Sequence, residues 1–168
     1  MNEEDHYQEL LPLIKLGNRD ETIAVITKSQ FQMNSPSELF KNDEMLLQAI
    51  QSGRWVELCY GKHRNIFFPA EAAMASDIVI GHVVGATAGL EAVLAGSRCI
   101  LLNPYNLQGA NIEIFKQADI IYKNMDSALC AISFFRQGKP EYHNLGDCCS
   151  IIDQLTTSRT TSLSVGFA

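Results

Sequence analysis

No block of lysines or arginines occurs in the 168-residue chain, where 13 basic residues face 19 acidic ones for a net charge of -6. Long nucleic-acid grooves and anionic membrane surfaces are held by clustered positive charge, so both are disfavoured as partners, while a small anionic ligand gripped locally is not. No CxxC pair occurs either. The five cysteines, Cys59, Cys99, Cys130, Cys148 and Cys149, are odd in number and mostly lie within apolar runs. That pattern argues against a secreted disulfide framework or a zinc site and suits reduced, cytosolic thiols. Adjacent cysteines such as Cys148 and Cys149 bridge only with strain, so they too read as unreactive thiols. The apolar stretch around Ile78 is broken by His82 and Glu91, too soon to span a membrane, and the start, MNEEDHYQELL, is acidic where a signal peptide is basic and then apolar. A cytoplasmic chain is expected, at most peripheral to a membrane. Neither GxGxxG nor GK[ST] is present, which argues against a dinucleotide fingerprint and a P-loop. No internal repeat or linker divides the sequence, and no cofactor or metal is called for.

What is present is enough apolar material, 46% of residues, for one globular domain with a full core. Thr22 to Thr27 is a β-branched run that reads as a buried strand, followed by a polar loop through Ser29, Gln30 and Asn34. Ser35-Pro36-Ser37-Glu38 combines an N-cap serine, a proline at the first helical position and a glutamate three residues past the cap, predicting a helix to about Gln51, with Gly53 as its stop. Strands are expected at 55–60, 65–68, 77–80, 98–102 and 120–122, and helices at 69–74, 87 onward, 110–117 and 126–137. Continuous apolar strands alternating with helices predict an α/β fold: an open parallel sheet covered on both faces, a Rossmann-like three-layer sandwich in a single domain over residues 1–145. Residues 146–168 read as a tail with a short helix over Cys149 to Leu155 and a polar end.

In an open parallel sheet, ligands sit at the carboxyl ends of the strands, and the turn after Ile80 lies at such an end. Gly81 and Gly85 permit close backbone approach, and the unpaired first amides of a helix starting near Thr87 favour an anion such as phosphate. Glu91, four residues beyond Thr87, projects from nearly the same helix face and is placed to accept from a diol such as a ribose. Ala88, Ala92 and Ala95 are expected to form a small-residue stripe against the sheet. Taken singly, Gly85-Ala86-Thr87 is also what a tight strand-to-helix turn looks like, and Glu91 what a solvated first-turn acid looks like. His82, at the end of the strand, is a candidate acid or base, although a lone histidine there is commonly structural. The catalytic residues are otherwise not legible.

The stretch ASDIVIGHVVGATAGLEAVLAGSRCILLNP, with Asp77, Gly85, Thr87, Leu90, Glu91, Ala95, Gly96 and Ile100 in order, resembles the C-terminal, donor-binding half of GT-B-fold glycosyltransferases, those of surface and capsular polysaccharide synthesis in particular. The similarity runs over about residues 64 to 135. It implies a nucleoside-diphosphate sugar as ligand, with the turn Gly85, Ala86 and Thr87 on the diphosphate and Glu91 on the ribose. The loop near His63 would border the base, and the loop from Asn103 to Asn111 the sugar. It also implies that an acceptor-binding domain or subunit is needed for catalysis, since the acceptor-side half of such enzymes has no counterpart here. Two other functions stand beside this one: a nucleotide-sugar 2-epimerase-like domain of the same fold, and a non-catalytic α/β interaction domain.

Overall fold

The computed structural model describes residues 3–28, 35–58, 69–84 and 87–148. They form a mixed α/β structure with parallel strands in open sheets. The chain divides into two compact units, Met1–Ala72 and Ala73–Ala168.

In the first unit, α1 (Glu3–Arg19) leads into β1 (Val25–Lys28), α2 (Pro36–Leu39), α3 (Glu44–Gln51) and β2 (Trp55–Leu58), with β1 and β2 paired in parallel from Val25 beside Trp55 to Lys28 beside Leu58. The helix expected over 35–51 is two helices. Asp43 ends the first run by capping the second, its carboxylate accepting from the Leu46 N–H at 2.7 Å. The Ser35 capping box does form, with Glu38 Oε2 accepting from the Ser35 N–H at 2.9 Å. Leu10 and Ile14 of α1 pack with Val25, Leu46, Ala49 and Trp55 to make the core of this unit. Glu57, on β2, accepts from the Ser37 N–H at 2.8 Å, from the Ser37 hydroxyl and from Trp55 Nε1 at 3.1 Å, so this half-buried carboxylate ties α2 to the sheet.

Helix α4 (Pro69–Met74) precedes the second sheet, β3 (Ile78–His82), β4 (Arg98–Leu102) and β5 (Ile121–Tyr122), in the order β3-β4-β5 and all parallel. Helices α5 (Thr87–Leu94) and α6 (Ala110–Gln117) make the two crossovers, and α7 (Met125–Arg136) follows β5. Alternation along β4 sends Cys99 and Leu101 to one face, where they meet Val93 of α5, Phe115 of α6, Ile120 and Cys148. Arg98, Ile100 and Leu102 take the other face, and the Arg98 guanidinium lies 4.9 Å from the centre of the Phe135 ring of α7. Both faces of this sheet are therefore covered by helices, which is why β4 runs apolar from Cys99 onward.

The residue that lets α5 approach the sheet is Gly89. A Cβ there would stand 3.0 Å from Leu101 Cδ2 and 3.3 Å from Cys99 Sγ. The small-residue stripe is thus Gly89 and Ala92, both buried, whereas Ala88 is exposed and Ala95 lies beyond the helix end. Past α7, Gly146 accepts from the Cys99 N–H at 2.9 Å, and Leu145 O accepts from Arg98 Nη1 at 2.6 Å. Leu145 and residues 146–148 of the expected tail therefore pack against β4, while the helix expected over 149–155 falls outside the described residues, as does the strand expected at 65–68.

Candidate functional site

The strand register of the second unit sets His82, Leu102 and Tyr122 side by side at the carboxyl end of the sheet. From this row the chain leaves by three connections: through Val83 toward α5, through Asn103 to Gly109 into α6, and through Lys123 and Asn124 into α7. The Val83 N–H still donates to Leu102 O at 3.0 Å and its side chain packs on the core, so the chain departs from the sheet only at Val84, which is 65 % exposed.

Thr87 is the first residue of α5, as expected from the sequence, and Glu91 follows one turn later, half-buried. Among the described residues the Glu91 carboxylate makes no hydrogen bond or ion pair, so it is available as an acceptor. Gly85, Ala86 and His63 lie outside the described residues. His82 ends β3, half-buried, in the row of strand ends.

Asn103 is the buried polar residue of this edge, 5 % exposed. Its Nδ2 donates to Leu107 O at 3.0 Å and its Oδ1 accepts from the Leu107 N–H at 2.8 Å. Its backbone N–H donates to Tyr122 O at 2.8 Å and its carbonyl accepts from the Asn106 N–H at 3.2 Å. Both side-chain groups are spent on the loop, so Asn103 shapes the wall of the site. Asn106 adopts a left-handed backbone, φ 49°, in the turn so formed, and Gln108 Nε2 donates to the Asn106 carbonyl at 3.0 Å.

Between the ends of β4 and β5 lies a cleft of about 350 Å³ lined by Asn103, Pro104, Asn106, Lys116, Ile121, Tyr122 and Lys123. Its volume is that of a small-molecule site. The Lys116 ammonium is already engaged, donating to Glu113 Oε1 and Gln108 Oε1, each at 2.8 Å. The exposed Lys123 ammonium makes no such contact among the described residues. Burial, then the neighbouring Asp119 and Tyr142, raises the pKa of the Tyr122 hydroxyl, which therefore remains a donor at neutral pH.

Lys116, Tyr122 and Lys123 were not apparent as site residues from the sequence. Their signal is positional: Lys123 directly follows β5 just as Asn103 follows β4, and the rule that draws attention to the end of one parallel strand applies to its neighbour.

Comparison with protein-family models, with characterised proteins and with solved structures returns no match. Among the described residues, no helix is long and apolar enough to cross a membrane.

Proposed function

We propose that the second unit is a Rossmann-like, three-layer domain that binds a nucleoside-diphosphate sugar as the donor-side half of a glycosyltransferase of polysaccharide or glycoconjugate synthesis. The observation that carries this reading is the cleft at the carboxyl ends of β4 and β5, one strand away from the connection that leads into α5. In this reading the diphosphate sits at the start of α5, beside Gly85, Ala86 and Thr87, where unpaired amides and the helix dipole favour negative charge. Glu91, without a partner among the described residues, accepts from the ribose diol. The sugar extends toward the loop braced by Asn103, whose two bonds to Leu107 hold the wall in place before any ligand arrives.

Transfer needs an acceptor hydroxyl held in line with the anomeric carbon and a base within hydrogen-bond reach of it. In this reading the second unit holds the donor, and an acceptor-binding domain or subunit is needed for turnover. Binding is tested by thermal shift with uridine, cytidine, guanosine and adenosine diphosphates. A ligand at a hundredfold excess over its dissociation constant stabilises by about 2.7 kcal/mol, a melting shift of roughly 5 to 10 °C for this chain. Absence of a shift with every nucleoside diphosphate at millimolar concentration refutes the proposal.

A further inference from the structure

Resting on the donor-binding reading above, we infer that the sugar received by the cleft between β4 and β5 is an acidic one, carrying a carboxylate that the Lys123 ammonium meets. Among the described residues, the cleft is lined by two lysines and by no aspartate or glutamate. Lys116 is balanced locally, because Glu113 Oε1 lies 2.8 Å from its Nζ. Among the described residues that leaves one uncompensated positive charge, Lys123, on a wall otherwise made of neutral polar and apolar groups. A single carboxylate matches a single ammonium, whereas a phosphomonoester dianion would leave one of its charges unmet.

The position fits as well as the charge. Neighbouring strands lie about 4.8 Å apart, so the middle of the β4/β5 cleft stands about 7 Å from the end of β3, close to the width of one sugar ring. A diphosphate at the β3-to-α5 connection thus brings the far side of its sugar to Lys123. Tyr122, half-buried beside it, keeps its hydroxyl proton and offers a second donor to the same group or to a ring hydroxyl. The opposite wall is fixed in advance, by the Asn103–Leu107 bonds and by Gln108 Nε2 on the Asn106 carbonyl. A neutral hexose finds hydroxyl partners here but nothing that uses the Lys123 charge.

The test compares matched pairs by titration calorimetry on the full chain: uridine-diphosphate glucuronate against uridine-diphosphate glucose, and guanosine-diphosphate mannuronate against guanosine-diphosphate mannose. A charge-assisted contact at a solvent-exposed lysine gives the acidic member of the recognised pair an affinity roughly three- to tenfold higher. Lys123→Met and Lys123→Gln remove that preference, bringing the affinity for the acidic member down to that of the neutral member measured on the same variant. Since the Lys123 side chain is exposed and makes no bond among the described residues, both variants melt like the parent chain. Equal binding of the two members, or a preference that survives both substitutions, overturns the inference while the donor reading stands. Failure of all four compounds, together with a flat thermal-shift panel, removes the donor reading and the inference with it.

Discussion

Gly146→Ala is expected to be among the most damaging single-methyl additions in the second unit. Gly146 sits at φ +69°, a left-handed conformation that costs an alanine about 1 to 2 kcal/mol. Its added Cβ would also stand 3.1 Å from Cys99 N, 3.2 Å from Cys99 O and 3.1 Å from Arg98 Cβ. Two of these atoms are backbone of the central strand and none can swing aside. Relief must come from a shift of residues 145–147, which lengthens the 2.9 Å bond from the Cys99 N–H to Gly146 O and the 2.6 Å bond from Arg98 to Leu145 O. Overpacking of this kind adds about 1 to 3 kcal/mol, for a total of roughly 2 to 5 kcal/mol. Gly138→Ala is the matched control: its φ is +70°, but a Cβ there meets nothing within 4 Å, so only the conformational cost applies. Urea unfolding of both variants, followed by far-ultraviolet circular dichroism, separates the two contributions. A Gly146→Ala loss no greater than that of Gly138→Ala refutes the contact between residues 145–147 and β4.

Three further outcomes are expected. Glu91→Gln keeps shape and helix propensity but loses the charged acceptor, so the affinity for a recognised nucleoside diphosphate should fall roughly tenfold by calorimetry, with stability changed by less than about 0.5 kcal/mol; unaltered affinity would make Glu91 a solvated helix acid. Burial, with Cys148 beside it, pushes the Cys99 thiol up to about 12 from the ordinary 9.0, so the folded state holds this proton where the unfolded chain has lost it. Its contribution to stability is complete below pH about 9 and declines as pH rises toward 12, by at most about 1.4 kcal/mol per pH unit, a slope that Cys99→Ala should reduce in urea titrations between pH about 9 and 10, below the range in which the raised Tyr122 adds a slope of the same sign. In the same protein, iodoacetamide at pH 8 should modify the exposed Cys130 rapidly and spare Cys99 and Cys148, as peptide mass mapping would show.

The described strands were legible because each is a β-branched or apolar run ended by a turn, and the bounds of β4 and α6 follow from the sequence as read. The break within residues 35–51 was not, because Asp43 looks like one more polar residue until its carboxylate is seen on the Leu46 N–H. Helix α1 escaped notice although Leu10, Ile14 and Gly17 recur on one buried face, since acidic flanks and Pro12 mask the pattern. At the site, the order Thr87 then Glu91 is local and could be read directly. The cleft could not, because Asn103 and Lys123 come together only when Leu101 and Leu102 of β4 pair with Ile121 and Tyr122 of β5. The choice of Ala88 over Gly89 as the close-packing residue went astray for a related reason: small residues mark both faces of α5, and only the position of Cys99 and Leu101 decides between them.

Gly89 also bears on the order in which the molecule comes together. Eight residues with a glycine inside make α5 too short and too weak a helix to persist alone in water. It exists because β4 is already there to receive it, so in folding the pairing of β3 with β4 must come before the helix or together with it. The structure around Thr87 and Glu91 then forms no earlier than that pairing, and its amides should exchange with solvent sooner than those of Ile100 and Leu101.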